Sequence, residues 1–389
     1  MPMNPAPFTT RLDDAVADHT AAGLVAMAAT RDGVTLELAR GVRAHGGDDA
    51  MTLDTVMWLA SCTKPVTTVA ALQCVERGLL DLDAPAARVC PEIGALKVRE
   101  RFNDDGTQVL REPRSALTLR QLLSHTSGLA YEIFHSDVAR ELEAAGTPNI
   151  LSGSAATLNR ALVADPGTAW HYSPGIDWAG RMIEQVTGEK LGTFLQANLF
   201  DPLGMHDTGF ALDADRSARR ASMHARLPDG SLAPIPFDLP AAPDFDMGGH
   251  ALFGTGPDYL RFARMLLGDG QLDGVTVLKP ETAQLMRSNQ IGDLVIAPIP
   301  TAAPELSHTV SLFPGLPVSH GLGVLITDAP VPDGRAAGSF TWMGLSNIYF
   351  WVDPASGVTG LLMGQLLPFY DPAMVALYQD FERMVYRAA

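Results

Sequence analysis

The stretch that most constrains the fold is a long apolar helix that begins at a serine and a lysine. Hydrophobic or small residues occupy nearly every position in residues 66–75, so the helix predicted over residues 61–77 has no polar face. Gly78 is well suited to follow its C-terminus. Because such a helix has to be buried on all sides, it predicts a domain with this helix running through its middle.

The start of this helix carries residues that suit nucleophilic catalysis. Ser61 and Lys64 are three positions apart and share one helix face. A partly desolvated lysine is a suitable base for a serine, which is inert at its free pKa. The first helical turn also presents backbone N–H groups to a developing oxyanion. The same spacing arises by chance when a capping serine precedes a solvated lysine, so downstream motifs decide between the two interpretations.

Composition and charge exclude several functional classes. A chain of 389 residues, 47% hydrophobic and 19% charged, can form one large core or two domains. Its formal net charge of −16 argues against nucleic acid and anionic membranes as partners, since both require basic patches. Residues 1–14 lack the apolar run of a signal peptide, and no later stretch reaches the roughly 18 apolar residues of a membrane helix. The sequence therefore predicts a cytoplasmic protein.

The cysteines and histidines predict neither a disulfide nor a metal site. Cys62, Cys74 and Cys90 form no even disulfide set and no metal-ligand spacing, so we expect reduced, buried thiols. Cys62 is adjacent to Ser61 but points about 100° away around a helix, which argues against Cys62 as the nucleophile. The histidines show no zinc-binding spacing, and no cofactor is predicted.

Strand patterns occur at both ends of the chain, with helical patterns between them. The predicted strands are residues 23–30, 35–42, 321–327, 338–342, 346–352 and 358–365. The predicted helices, besides 61–77, are residues 12–22, 119–123, 137–145, 154–162, 176–187, 257–267, 280–288 and 372–387. No strand is expected in residues 79–210, and residues 211–246 resemble a loop because prolines crowd them.

This order of elements predicts an α+β fold. One antiparallel sheet is built from both chain termini and is covered by helices. Residues 1–80 and 211–389 would form this discontinuous sandwich domain, and residues 81–210 would form an inserted, mostly helical domain. We expect the active site in the cleft between them.

Three polar turns are candidates for the site. In Leu-Leu-Ser-His-Thr-Ser-Gly-Leu (residues 122–129), His125 is either a catalytic base or a hydrogen-bonded structural histidine, and we favour the structural interpretation. Tyr172 lies in a turn that enters the helix over residues 176–187, where an aromatic side chain commonly serves packing. Gly344, between two strands, is either a bulge or a point of close backbone approach to a ligand.

Together these stretches resemble one family, the serine hydrolases with the class C β-lactamase and penicillin-binding-protein fold, and within it the family VIII carboxylesterases. Each motif is short, but five occur in the family's order along nearly the whole chain. They are Ser61-Cys62-Thr63-Lys64, residues 122–129, Tyr172-Ser173, Gly248-Gly249-His250 leading to residues 258–262, and Phe350-Trp351-Val352-Asp353-Pro354.

The resemblance implies roles for individual residues. Ser61 would be the acylated nucleophile, Lys64 its proton acceptor or electrostatic partner, and Tyr172 a phenolate-like proton relay. Ionised Tyr172 would need a nearby cation, for which Lys64 is the candidate. The two would titrate as a coupled pair, so either one is open as the base. The backbone N–H groups of Ser61 and Leu345 would form the oxyanion hole.

The chain also departs from the lactamase pattern. Trp342-Met343-Gly344 replaces Lys-Thr-Gly, and Tyr172-Ser173-Pro174 replaces Tyr-x-Asn, so donors for an anionic, amide-bearing ligand are missing. We therefore predict a serine carboxylesterase acting on small, uncharged esters, with acyl transfer to alcohols or amines as an additional activity. The alternatives are a β-lactamase or D-amino-acid peptidase, and a non-catalytic binding homologue. The predicted substrate-binding residues are Trp342, Met343, Gly344, His125 and Ser173.

Overall fold

A seven-stranded antiparallel sheet forms the centre of the computed structural model, which describes residues 3–388. Further strands lie outside this sheet, in smaller sheets. In chain order, all of the strands are β1 (Gly23–Thr30), β2 (Gly33–Gly41), β3 (Met57–Trp58), β4 (Val98–Phe102), β5 (Gln108–Arg111), β6 (Met223–Arg226), β7 (Leu232–Ile235), β8 (Phe253–Gly254), β9 (Gln271–Leu272), β10 (Val275–Thr276), β11 (Val318–His320), β12 (Leu325–Thr327), β13 (Ser339–Gly344), β14 (Ile348–Asp353), β15 (Val358–Met363) and β16 (Leu366–Leu367). The order in the large sheet is β11-β12-β13-β14-β15-β1-β2. The prediction of one antiparallel sheet from both chain ends is confirmed.

Helices cover this sheet. They are α1 (Ala6–Ala17), α2 (Thr63–Glu76), α3 (Leu119–Leu123), α4 (Ser136–Ala145), α5 (Gly175–Thr187), α6 (Leu191–Leu195), α7 (Asp201–Leu203), α8 (Ala214–Ala218), α9 (Gly256–Leu267), α10 (Pro280–Met286) and α11 (Pro372–Ala388). Residues 23–29 of β1 are buried without alternation, as expected for a central strand covered on both faces. In the adjoining β15, Gly360 leaves room for the ring of Trp351, because a Cβ there would lie 2.0 Å from it.

Helix α2 is the buried helix that the sequence predicts. Every residue of α2 from Thr63 to Cys74 is buried, and Gly78 follows it with φ +70°, a conformation that glycine adopts without strain. A short 3₁₀ turn, Ala60–Cys62, precedes α2. The helix therefore holds its first residues, including Lys64, inside the protein.

The structure corrects several predicted segments. The hairpin of β4 and β5 lies in residues 79–210, where no strand was expected; its exposed strand positions are Glu100, Arg101 and Leu110, and its turn contains Gly106 with φ +84°. Residues 211–246, predicted as a loop, contain α8 and the hairpin of β6 and β7. Of the strand predicted over 321–327, only Leu325–Thr327 is a strand, β12; residues 321–324 form the turn from β11, in which Gly323 has φ +70°.

Two predicted helices also differ. The first helix runs from Ala6 to Ala17 rather than over residues 12–22, and it ends before His19, whose φ is +55°. The helix predicted over 154–162 is only a 3₁₀ turn, Ala155–Leu158. Both errors arise because apolar spacing identifies a buried face more reliably than it identifies the ends of a helix.

Most buried hydrophobic residues form one continuous core that includes side chains from both ends of the chain and from the segment between them. The division into residues 1–80 with 211–389 and an inserted domain 81–210 stays a prediction. None of the helices within residues 3–388 has the length and apolar character needed to cross a membrane.

Candidate active site

Ser61 lies in a strained turn between β3 and α2. The preceding Ala60 has φ +48°, which is costly for a residue with a side chain and is commonly found where function requires a particular geometry. The N–H of Leu59 donates to Leu252 O at 2.8 Å, and this bond fixes the entry to the turn. Ser61 remains partly exposed, whereas Lys64 is fully buried beneath it.

The amine of Lys64 is held by three hydrogen bonds. It donates to Ser61 Oγ at 3.3 Å, to Tyr131 Oη at 2.9 Å and to the backbone oxygen of Gly249 at 2.7 Å. All three donors of an ammonium group are therefore used. The amine is within reach of the hydroxyl, as the spacing of Ser61 and Lys64 predicts.

Burial lowers the pKa of Lys64 to about 7, while the negative charge of Asp177 acts in the opposite direction. Desolvation disfavours the ammonium form because the protein interior solvates a charge poorly. A large fraction of Lys64 is consequently neutral near pH 7. A neutral amine beside a serine hydroxyl can accept its proton.

Tyr172 lies on the other side of the nucleophile. Its hydroxyl donates a hydrogen bond to Ser61 Oγ at 2.6 Å, and burial raises its pKa. The Lys64 amine lies 4.8 Å from the centre of the Tyr172 ring, over its face. The predicted stabilisation of a Tyr172 phenolate by Lys64 is not supported by this geometry, because the amine bonds to other oxygens and the phenol pKa moves upward.

The turn after β13 lies against the nucleophile. Gly344 is tightly packed, since a Cβ on it would lie 2.6 Å from the backbone oxygen of Leu59. The adjacent Ser346 donates to Trp58 O at 2.9 Å. Gly344 pairs with Ile348 without a register shift, so it is not a bulge. Its close approach is to the turn that carries Ser61, and contact of Gly344 with a ligand stays a prediction. Leu345 thereby lines the same pockets as Ser61.

Two apolar pockets meet at Ser61, Tyr172, Phe134 and Leu345. The space within the linings, part of it open to solvent, is about 400 Å³ in one and about 330 Å³ in the other, at the lower end of the range for ligand sites. The first is completed by Ile299, Val310, Leu312, Trp342, Met343 and Phe369. The second is completed by Trp58, Tyr131, Ile133, Ile150, Leu151 and His250. Neither pocket contains a lysine or an arginine among these residues.

His125 and Ser173, which the sequence predicts as substrate contacts, are both buried and line neither pocket, so their contact with a substrate stays a prediction. His125 is 1% exposed and Ser173 0% exposed. His125 stacks on Trp342 with ring centres 5.8 Å apart, and its Nδ1 lies 3.1 Å from Ser173 Oγ. Both residues lie outside the two pockets and support the walls formed by Trp342 and Tyr172. The interpretation of His125 as a structural, hydrogen-bonded histidine agrees with this geometry.

A family model described as Beta-lactamase matches residues 8–382. The chain belongs to the beta-lactamase family. A monacolin J acid methylbutanoyltransferase of Aspergillus terreus is 36% identical over 355 residues, covering 86% of this chain and 82% of that protein. A lovastatin esterase of Penicillium rubens is 34% identical over 351 residues, covering 86% of each protein.

Two solved structures share this fold. Unliganded simvastatin synthase from Aspergillus terreus superposes with a TM-score of 0.84 at 33% identity, covering 98% of both chains. EstCE1, described as a hydrolase with promiscuous acyltransferase activity, superposes with a TM-score of 0.76 at 22% identity, covering 96% of this chain and 97% of that one. The beta-lactamase-like arrangement of helices and antiparallel sheet is thus shared along nearly the whole chain.

Sequence reasoning missed two residues at the site of this family member. Tyr131 bonds to the amine of Lys64, and Asp177 is fully buried beside it. Tyr131 follows the residue 122–129 motif by two positions, and Asp177 lies one turn into α5 after the Tyr172 turn. The sequence shows only that the two residues lie close to these motifs. An aromatic residue is commonly buried for packing, and an aspartate commonly lies at the start of a helix, so neither residue type indicated a role at the site.

The cysteines take no part in this arrangement. Cys62 is fully buried, and burial raises the pKa of its thiol, so its reactive thiolate form is disfavoured. Between residues 3 and 388, no group of three or more His, Cys, Asp or Glu side chains is arranged to hold a metal ion.

Proposed function

We propose that this protein is a serine carboxylesterase and acyltransferase that acts on small, uncharged esters through an acyl-enzyme on Ser61. The observation that carries the proposal is the position of Ser61 Oγ, 2.6 Å from Tyr172 Oη and 3.3 Å from Lys64 Nζ. A hydroxyl between a proton donor and an amine whose pKa is lowered to about 7 is arranged for nucleophilic attack. The family's named esterases and acyltransferases support the same reaction class.

In the acylation step, Ser61 Oγ attacks the ester carbonyl carbon and its proton passes to neutral Lys64. We assign the base to Lys64 because its pKa is lowered to about 7, whereas that of Tyr172 is raised. The carbonyl oxygen becomes an oxyanion, for which we propose the backbone N–H groups of Ser61 and Leu345 as donors. The C–O bond of the ester then breaks, the leaving alkoxide takes a proton from Tyr172 Oη, and the Lys64 ammonium group gives the former Ser61 proton to Tyr172.

Deacylation reverses these roles. Water or an alcohol enters the position vacated by the leaving group, loses its proton to the same pair, and attacks the acyl carbon. The bond between the acyl carbon and Ser61 Oγ then breaks, and Oγ takes that proton back from Lys64. Water gives a carboxylic acid, and an alcohol gives a new ester. Relatives named as a methylbutanoyltransferase and as a lovastatin esterase support both outcomes on one fold. They also favour a short, branched acyl group, which is compatible with the small pockets.

The wall at Trp342 favours neutral esters over β-lactams. Trp342 is 5% exposed and lines the pocket beside Ser61, at the position where lactamases carry the lysine of Lys-Thr-Gly. A β-lactam carboxylate would meet no dedicated cation there and would lose hydration without compensation. β-Lactam or D-amino-acid peptide hydrolysis is accordingly the second candidate function.

One experiment separates the candidates. The purified protein is incubated with nitrophenyl butyrate, with nitrophenyl 2-methylbutyrate and with a chromogenic cephalosporin, and the Ser61→Ala variant is the control. We expect ester turnover that disappears in the variant and cephalosporin turnover that is much weaker. Repeating the ester reaction with added alcohol measures acyl transfer as new ester formed. Turnover of none of the three by the unmodified protein would favour a non-catalytic binding homologue.

The esterase subfamily and the cellular location are also proposals. Membership of the family VIII carboxylesterases is proposed from the Ser61 and Tyr172 motifs together with Trp342. The cytoplasmic location predicted from the sequence remains a prediction.

A further inference from the structure

Asp177 closes a ring of hydrogen bonds behind Lys64. Its Oδ1 accepts from the N–H of Gly249 at 2.9 Å, and its Oδ2 lies 3.4 Å from Tyr131 Oη. Lys64 in turn donates to Tyr131 Oη and to the oxygen of Gly249. The carboxylate and the amine therefore share the same two neighbours without touching each other.

The packing around this ring is tight. Asp177 is 0% exposed, and a Cβ on Gly249 would lie 2.2 Å from its Oδ2. Only glycine at position 249 lets the carboxylate approach the backbone so closely. Burying a carboxylate costs free energy unless it is paired or hydrogen-bonded. The bonds from Gly249 and Tyr131 therefore offset the cost of burying Asp177.

Other ionisable groups face the ring but do not replace Asp177. His250 Nδ1 lies 3.8 Å from Asp177 Oδ1, yet burial lowers the pKa of His250 to about 3, which keeps it neutral. Arg160 is committed to Glu132 in a buried ion pair at 2.6 Å. Asp177 is the carboxylate whose charge acts most directly on Lys64. The neighbouring Tyr131, Tyr172 and Cys62 stay protonated because burial raises the pKa of each, and His125 stays neutral because burial lowers its pKa.

We propose that Asp177 is a positioning residue of this reaction, which holds Lys64 at Ser61 and sets its protonation state through Tyr131 and Gly249. The inference rests on the proposed function, in which Lys64 is the base. As a negative charge, Asp177 favours the ammonium form and keeps the amine basic enough to take the Ser61 proton. As an acceptor, it orients Tyr131 and Gly249, the two groups that aim the amine.

The test compares Asp177→Asn with a matched control, Asp258→Asn. Asp258 is also buried and accepts from Thr208 Oγ1 at 2.9 Å, but it has no bond to Lys64 or its partners. The measurement is the rate of Ser61 labelling by a neutral activated phosphonate across pH 5 to 10. Labelling reports nucleophile activation directly, whatever the natural ester is.

In the unmodified protein we expect labelling to increase as pH rises through about 7, where Lys64 loses its proton. In Asp177→Asn the loss of the negative charge should move this rise about 1–3 pH units lower, and the plateau rate should fall at least tenfold. Asp258→Asn should keep the midpoint of the unmodified protein. A slower but unshifted profile in Asp177→Asn would mean a merely structural role and would overturn the inference.

Tyr131→Phe provides a second variant in case Asp177→Asn does not fold, as judged by circular dichroism and thermal melting. It removes one acceptor from the Lys64 ammonium group, so the midpoint should again move to lower pH. An unshifted midpoint in a folded Tyr131→Phe would also count against the inference. Absence of Ser61 labelling in the unmodified protein is a different result, because it overturns the proposed function itself.

Discussion

Tyr172 Oη lies 2.6 Å from Ser61 Oγ, although 111 positions separate the two residues. The contact depends on α2, which carries Lys64 beneath the serine, and on the turn before α5, where the backbone oxygen of Tyr172 accepts from Tyr131 N at 3.1 Å. The geometry of the nucleophile therefore depends on contacts between segments that are distant in the sequence.

The nucleophile is the first prediction. Ser61→Ala should abolish ester turnover while leaving the thermal unfolding temperature nearly unchanged, because a partly exposed hydroxyl contributes little to packing. Mass spectrometry after brief exposure to an activated phosphonate should find one adduct, on Ser61. Cys62→Ala is the matched control and should label normally. An adduct on Cys62 would contradict the assignment.

Lys64 and Tyr172 should behave as one catalytic unit. Lys64→Ala and Tyr172→Phe should each lower kcat by roughly a thousandfold or more, and the double variant should be little worse than the poorer single variant. The physical reason is that both bond to the same oxygen of Ser61 and act on the same proton. Additive losses in the double variant would show that the two residues act independently.

The pH dependence of kcat/KM should follow the deprotonation of Lys64. Since only the neutral amine accepts the Ser61 proton, activity should increase with pH through about 7 and be about tenfold below its plateau one pH unit under that midpoint. The raised pKa of Tyr172 predicts no loss of activity below about pH 10 from ionisation of that phenol. A profile still rising at pH 9 would mean that Lys64 is not the base.

Specificity should change at Trp342. A missing charge-assisted hydrogen bond is worth roughly 1.5–3 kcal/mol, or about ten- to a hundredfold in binding. Trp342→Lys should therefore improve kcat/KM for a cephalosporin and weaken it for a nitrophenyl ester of two to four acyl carbons. Trp342→Phe is the control that keeps an apolar wall, and it should retain the preference for esters. Comparable values for both substrates in the unmodified protein would favour a β-lactamase.

Stability should depend on one buried ion pair within the C-terminal part of the chain. Arg335 and Glu382 are 0% and 4% exposed and lie 2.7 Å apart, which ties α11 to the segment before β13. Arg335→Met should lower the free energy of unfolding by about 3–5 kcal/mol, because Glu382 is left buried without its partner. Arg387→Met removes an exposed pair with Asp333 and should change it by about 0–1 kcal/mol. Urea unfolding of both variants measures the difference.

Much of the architecture follows from local sequence. The apolar run in α2, the glycine after it and the strand patterns near both chain ends predict the buried helix and the antiparallel sheet, because side-chain periodicity directly reflects which faces are buried. The short hairpins β4–β5 and β6–β7 escaped prediction, since their half-exposed strands carry charged residues and prolines that resemble loops.

The candidate site likewise depends partly on local sequence and partly on tertiary contacts. The sequence by itself determined that Ser61 and Lys64 share one face, because three residues make nearly one helical turn. Only the tertiary structure decided that Tyr131 and Asp177 join them and that His125 and Ser173 lie behind the wall. Burial and contact between distant segments also set the pKa of Lys64, since desolvation depends on everything packed around the amine rather than on its neighbours in the chain.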